Sequence, residues 1–256
     1  MTEIDEDYQA WDAYPESRWI FNKLELSLKL GYNAGPACVP VKEAGKYIVR
    51  PIYNLYGMGV GTSIKYLDPI LHGEEMTHHK HVPPGHFWCE LFEGDHLSID
   101  LKKVAKHSIN GNFQPFCTVR GTQRNTEKSL VTFDSWTKVD NIKNFKLPEY
   151  LNSLETEYLN IEMIGDKIIE VHLRTGNDFM WEYPIGTIVY PIWDTDEIDE
   201  KTNDGYHIIK NHHNESYHYA ADGHLDHIRL GYRIRNMDYE QKDEKYIYEE
   251  KQDEDL

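Results

Sequence analysis

Glu170, His172 and Arg174 stand two residues apart in and just after an aliphatic run, residues 167–173. A strand throws alternate side chains to one face, so these three share a face. Ile169, Val171 and Leu173 point the other way, into a core. A second strand-like run, residues 158–164, precedes Gly165-Asp166, a tight-turn pair, so the two runs read as a hairpin. Glu162 lies an even number of residues from Glu170, and the hairpin is expected to bring the two together. Two carboxylates, a His and an Arg on one sheet face are costly to bury unpaired. Either the face is solvated or it holds metal ions and phosphate. Paired carboxylates suit Mg²⁺, which takes few protein oxygens and shares the rest with phosphates. Glu162, Glu170 and His172 are therefore the candidate metal ligands, and Arg174 a candidate anion contact.

A second constellation begins at KYIVRPIY, residues 46–53, whose β-branched residues predict a strand ending in Arg50-Pro51. Gly57, Gly59 and Gly61 follow, and then a second strand over 62–67. Strand, glycine loop and strand make a flap-like hairpin. Glycines let backbone amides approach an anion closely, and a strand-borne cation faces the same anion. That arrangement can clamp a polyphosphate; the competing interpretation is an ordinary tight hairpin. Neither the Walker nor the Rossmann glycine pattern is present. A third segment, FWCELFEGDH from Phe87 to His96, is an apolar strand running into a turn. Backbone groups of such a strand can meet an adenine ring, and the polar group beyond the turn can reach a ribose; the competing interpretation is an ordinary strand and turn. Arg120 is expected at a strand end and, from its position alone, reads as a surface arginine.

The scaffold must hold these pieces together. A helix is expected over 15–30, with Ile20, Leu24 and Leu28 as its core stripe. Further strands are expected over 87–92, 96–104, 113–120, 129–137, 185–193 and 228–234, with a short helix over 148–157. Antiparallel strands dominate and helices are few, which is α+β rather than a doubly wound sheet. Residues 1–15 read as an acidic lead-in, 16–236 as one domain and 237–256 as a charged tail. Within the domain, 46–85 carries the flap, 86–182 binds nucleotide and metal, and 183–236 is a C-terminal excursion.

The 256 residues suffice for a sizeable core. A net charge of -17 argues against a general nucleic-acid binder. The acidic start is neither a signal nor a transit peptide, and no apolar run approaches a membrane span. Three cysteines, Cys38, Cys89 and Cys117, read as reduced buried thiols, so a cytoplasmic location is expected. Five histidines fall in 72–86 and six in 207–227. They lack Cys partners and the H-E-x-x-H spacing, so they read as exposed loop residues.

In order and spacing the three constellations resemble the ATP-grasp superfamily over roughly residues 16–182. Asn22-Lys23-Leu24 looks like that family's helix lysine, Arg50-Pro51 like its strand-ending Lys-Pro, and Gly57, Gly59 and Gly61 like its flap. Glu90, Leu91 and Phe92 look like its adenine hinge, with His96 as the ribose-side residue. Glu162 and Glu170 look like its metal carboxylates. His172 stands in place of an Asn, and Arg174 is retained. With only about 15 residues before the first helix, the α/β domain that usually precedes this core is expected to be missing. The resemblance implies an ATP- and Mg²⁺-dependent carboxylate–amine ligase working through an acyl phosphate on small-molecule or peptide substrates. It implies Lys23 as a nucleotide contact, Arg174 on the acyl phosphate, Arg120 as a candidate contact for the substrate carboxylate, and a homodimer as the assembly to look for. The alternatives are a non-catalytic nucleotide-binding or interaction protein that kept the fold, and a metal-binding protein built on the histidine clusters.

Overall fold

The structure, a computed structural model, describes residues 4, 6–55, 61–69, 81–104, 112–123, 133–143, 145–177, 180–193, 207–210 and 229–235. Gly57 and Gly59, and most of both histidine clusters, lie outside these residues.

Two antiparallel sheets carry the described chain. The smaller comprises β1 (Ala34–Pro36), β2 (Gly45–Pro51), β3 (Ser63–Leu67) and β4 (His86–Glu90), in the order β1-β4-β2-β3. The larger comprises β5 (His96–Lys103), β6 (Phe113–Gln123), β7 (Phe133–Val139), β8 (Tyr158–Ile164), β9 (Lys167–His172), β10 (Ile188–Trp193), β11 (His207–Lys210) and β12 (Arg229–Arg235). Its order is β11-β12-β10-β7-β6-β5-β8-β9. Among the described residues the helices are few and short: α1 (Asp7–Ala13), a 3-10 turn (Pro15–Phe21), α2 (Lys23–Lys29) and α3 (Glu149–Asn152). The class is α+β, as the alternation of apolar residues implies.

Local chemistry explains the departures. The helix expected over 15–30 breaks at Asn22, whose side chain accepts a hydrogen bond from the Glu25 N–H at 3.0 Å and so caps α2. The acidic lead-in contains α1, opened by a reciprocal capping box between Glu6 and Gln9. The helix expected over 148–157 contracts to α3. β1 is only three residues long and β11 lies inside the expected excursion, so neither had an alternation to show. Cys89 and Cys117 are buried, but Cys38 is exposed.

The main core lies between the helices and one face of β5, β8 and β9. Ala10, Ile20, Phe21, Leu26 and Leu151 meet Ile99, Leu101, Leu159, Ile161 and Val171 there. Apolar burial of this size is the dominant stabilising term. The other face of the same strands carries Ser98, Asp100, Asn160 and Glu162, and the first three are buried. The β4–β5 turn is pressed onto the β8–β9 turn. A Cβ on Gly94 would lie 2.7 Å from the Gly165 Cα, and the Gly165 N–H donates to the Asp95 carbonyl at 2.9 Å. The two glycines, at φ +129° and +59°, thus permit the segment after β4 to seat on the hairpin that carries the glutamates.

Candidate active site

A two-residue turn at Gly165-Asp166 pairs Ile164 with Lys167, and a regular ladder would set Glu162 opposite Ile169. Even spacing alone would then put Glu162 and Glu170 on opposite faces. A bulge between Glu162 and Met163 corrects this: Met163 still pairs with Ile168, but Glu162 pairs with Glu170, and Asn160 with His172. One inserted residue, Ile169, turns the acidic pair onto one face. Ile169 offers its carbonyl to the Arg50 Nη2 at 3.0 Å.

Three cations approach this face from other elements. Lys23 opens α2, its N–H held by the Ile52 carbonyl at 2.9 Å, and its Nζ lies 2.5 Å from Glu170 Oε1. Arg50 is the penultimate residue of β2, buried over the Phe87 ring, and its Nε has no hydrogen-bond partner among the described residues. Arg174 donates from Nε to Asp7 Oδ1 at 2.8 Å and from Nη1 to the Thr175 carbonyl at 2.7 Å.

His172 is held from both sides. Nδ1 lies 2.8 Å from Asp7 Oδ2, and Nε2 lies 3.9 Å from Glu162 Oε1 and 3.8 Å from Glu170 Oε1. Burial pulls the His172 pKa down, but the Asp7 carboxylate, with Glu170, outweighs it and the net shift is upward. Burial would raise Asp7, yet His172 and Arg174 hold it well below the usual carboxylate range. Glu162 is likewise lowered: burial opposes ionisation, but His96, His172 and Lys23 together prevail. His96 Nε2 sits 3.3 Å from Glu162 Oε2, an electrostatic approach rather than an aligned hydrogen bond. Its ring meets Phe133 at 4.8 Å and Trp136 at 5.7 Å. Gly121 makes room for that pair, since a Cβ there would fall 2.6 Å from Phe133 and 2.8 Å from Trp136.

Below this strip, Asp100 pins the segment after β9. It accepts from Asn160 Nδ2 (2.8 Å), the N–H groups of Gly176 (2.9 Å) and Asn177 (3.0 Å), and Trp181 Nε1 (2.8 Å). Burial raises its pKa against those four hydrogen bonds. Lys138 Nζ gathers the carbonyls of Met180, Trp181 and Tyr183 at 2.7–2.9 Å, fixing the same segment.

Of the residues singled out in the sequence, Lys23, Arg50, His96, Glu162, Glu170, His172 and Arg174 converge here. Gly61 is described at φ +79°, while Gly57 and Gly59 lie outside the described residues. The Glu90 N–H already donates to the Asn33 carbonyl, and its carboxylate accepts from the Asn33 N–H, both at 2.9 Å, so neither group is offered to a ligand. Leu91 is exposed and Phe92 packs on Tyr32 at 4.7 Å. Arg120 is not in the cluster. It pairs with Leu97 in the sheet, on the face away from the glutamates, and forms an ion pair with Asp95 at 3.6 Å. Asp7, Ser98, Asp100 and Asn160 belong to the cluster without having been singled out. The Glu6-x-x-Gln9 box could have announced α1, but nothing in the sequence announces Asp7 as buried. Ser98 and Asp100 alternate with Leu97, Ile99 and Leu101 as solvent-facing residues would. Among the described residues, no three His, Cys, Asp or Glu side chains are disposed to hold a metal ion by themselves.

The two-sheet architecture is ATP-grasp-like, as comparison with solved structures shows. The L-amino acid ligase of Bacillus licheniformis matches with a TM-score of 0.51 and 10% identity, over 89% of this chain and 71% of that one. N5-carboxyaminoimidazole synthetase of Staphylococcus aureus, complexed with ADP, matches with 0.51 and 10%, over 86% and 68%. N5-carboxyaminoimidazole ribonucleotide synthetase of Thermus thermophilus matches with 0.51 and 10%, over 90% and 73%. The chain spans 59% to 75% of the solved chains it resembles. No family model matches the sequence, and no curated protein matches it at a significant level.

Proposed function

We propose that the chain is an ATP- and Mg²⁺-dependent ligase that joins a carboxylate to an amine through an acyl phosphate. The observation that carries this is Arg50: a buried guanidinium whose Nε lacks a partner among the described residues, bonded to the backbone beside Glu170. A buried unpaired donor is costly, and a phosphate oxygen would satisfy it. The solved relatives are named as a ligase and synthetases, one of them with ADP, which supports the same class.

In this proposal Arg50 and Lys23 hold phosphate oxygens, the backbone near Leu91 and Phe92 meets the base, and His96 lies on the ribose side. Gly57, Gly59 and Gly61 cover the phosphates. Glu162 and Glu170 fit Mg²⁺, because that ion needs only one or two carboxylates when phosphates complete its shell. Mg²⁺ supplies charge neutralisation across the phosphates. The chain's own part is positioning and electrostatic stabilisation of the transferring group. His172, engaged by Asp7, acts here as a neighbour of the glutamates rather than a metal ligand. Arg174 orients toward the acyl phosphate. Arg120, on the far face, is dropped as the substrate-carboxylate contact.

One observation favours a second reading, a nucleotide-binding protein without turnover: Lys23 with Glu170, and Asp7 with His172 and Arg174, satisfy one another without a ligand. The deciding experiment supplies ATP, MgCl₂ and mixed amino acids and measures ADP release. Release that Glu170→Gln abolishes supports the ligase. Nucleotide binding without release supports the second reading.

A further inference from the structure

Asp7 comes from the far end of the chain, 165 residues before His172, yet it is 1% exposed and lies against the glutamate hairpin. The Glu6–Gln9 capping box fixes the start of α1, and buried Ala10 seats the helix on the core. From there both Asp7 oxygens are used, Oδ2 by His172 Nδ1 and Oδ1 by Arg174 Nε, each at 2.8 Å. Each partner keeps one end turned away from Asp7. The other imidazole nitrogen faces Glu162 and Glu170, and one terminal nitrogen of Arg174 is not committed to Asp7 or to Thr175. A buried ion cluster is seldom the cheapest way to fasten a helix, since apolar replacements hold as well or better. What the carboxylate adds is orientation: it selects the ring flip of His172 and the rotation of the Arg174 guanidinium.

We propose that Asp7 is a positioning residue of the nucleotide site, so that the N-terminal helix is part of that site. This rests on the proposed nucleotide-dependent function. Two effects of removing the charge have opposite signs. Loss of a negative charge near a polyphosphate should by itself tighten nucleotide binding. Loss of positioning should weaken it, by about tenfold or more if Asp7 acts as outer-shell carboxylates do.

The test is calorimetric titration of the full chain with ADP and MgCl₂, comparing wild type, Asp7→Asn and Asp12→Asn. Asp12 sits on the same helix with its side chain 81% exposed, so its variant makes the same charge change without the contact. The expected result is a Kd raised about tenfold or more in Asp7→Asn and unchanged in Asp12→Asn. Asp7→Asn binding as tightly as wild type, or more tightly, overturns the proposal while leaving the nucleotide function standing. A wild-type chain that takes up no ADP overturns both. Should Asp7→Asn lack a cooperative melt, nitrogen-15 spectra of the wild-type histidines decide, with His172 assigned by its loss in His172→Gln. A proton on His172 Nδ1 is expected, and an Nδ1 without one overturns the proposal.

Discussion

His172 carries Asp7 on one ring nitrogen and two glutamates beyond the other, and its charge ties stability to pH. Its folded pKa is raised, so its contribution is full below the unfolded value of about 6.5 and is lost as pH rises through the folded value. That of Asp7 is lowered, so its contribution is full above about 4 and is lost as pH falls toward the folded value. The pair therefore contributes most between about pH 4 and 6.5. His172→Asn should melt below wild type at pH 6, and the gap should narrow steadily toward pH 9. A gap independent of pH over that range counts against a charged His172. For Arg50, one charge-assisted contact is worth about 1.5–3 kcal/mol. Arg50→Met should thus weaken ADP binding by roughly 10- to 100-fold in calorimetry. At this scale the sequence showed the acidic pair, Arg50, Arg174 and the two histidines by type and spacing, and Lys23 only through the family resemblance. It hid Asp7, because an acid-rich start looks the same whether one of its carboxylates is buried or none is. Even spacing suggested the right pairing of Glu162 with Glu170 for the wrong reason, since a bulge no residue type announces supplies the register.

Among the elements, the segment after β9 is pinned by Asp100 as well as by Lys138. Asp100→Asn keeps the shape of the side chain but turns an amide toward donors that now meet a donor. With about 1–3 kcal/mol for each buried group left unpaired, and two such groups, the loss should be about 2–6 kcal/mol in urea denaturation. A loss under about 1 kcal/mol, less than one such group, would mean that the Asp100 hydrogen bonds do not hold this segment. Gly121→Ala drives a methyl into Phe133 and Trp136 and should cost about 1–3 kcal/mol by overpacking, read in the same assay. The strands were legible because half-buried strands alternate, and β2 through β10 sit within a few residues of where that alternation put them. The short helices were not, because seven residues give fewer than two full turns of periodicity. Ser98 and Asp100 alternate with Leu97, Ile99 and Leu101 as a solvated face would, yet both are buried, and no residue type tells the two cases apart.

For the molecule as a whole, the glycine turns at Gly94 and Gly165 lock the small sheet's exit onto the hairpin, while α1 and α2 reach past the β9 edge to the same hairpin. Residues 7, 23, 50, 96, 162, 170, 172 and 174, drawn from both sheets and the N-terminal helices, are thereby brought together. The fold is ATP-grasp-like, and the buried Arg50 Nε is the donor among them that an entering anion would satisfy. The direct measurement is calorimetric titration of the full chain with ATP, with and without MgCl₂. Saturable binding that MgCl₂ strengthens and Arg50→Met weakens by about tenfold or more is expected. Absence of heat with ATP under either condition, from a chain that melts cooperatively, would contradict a nucleotide site between these sheets.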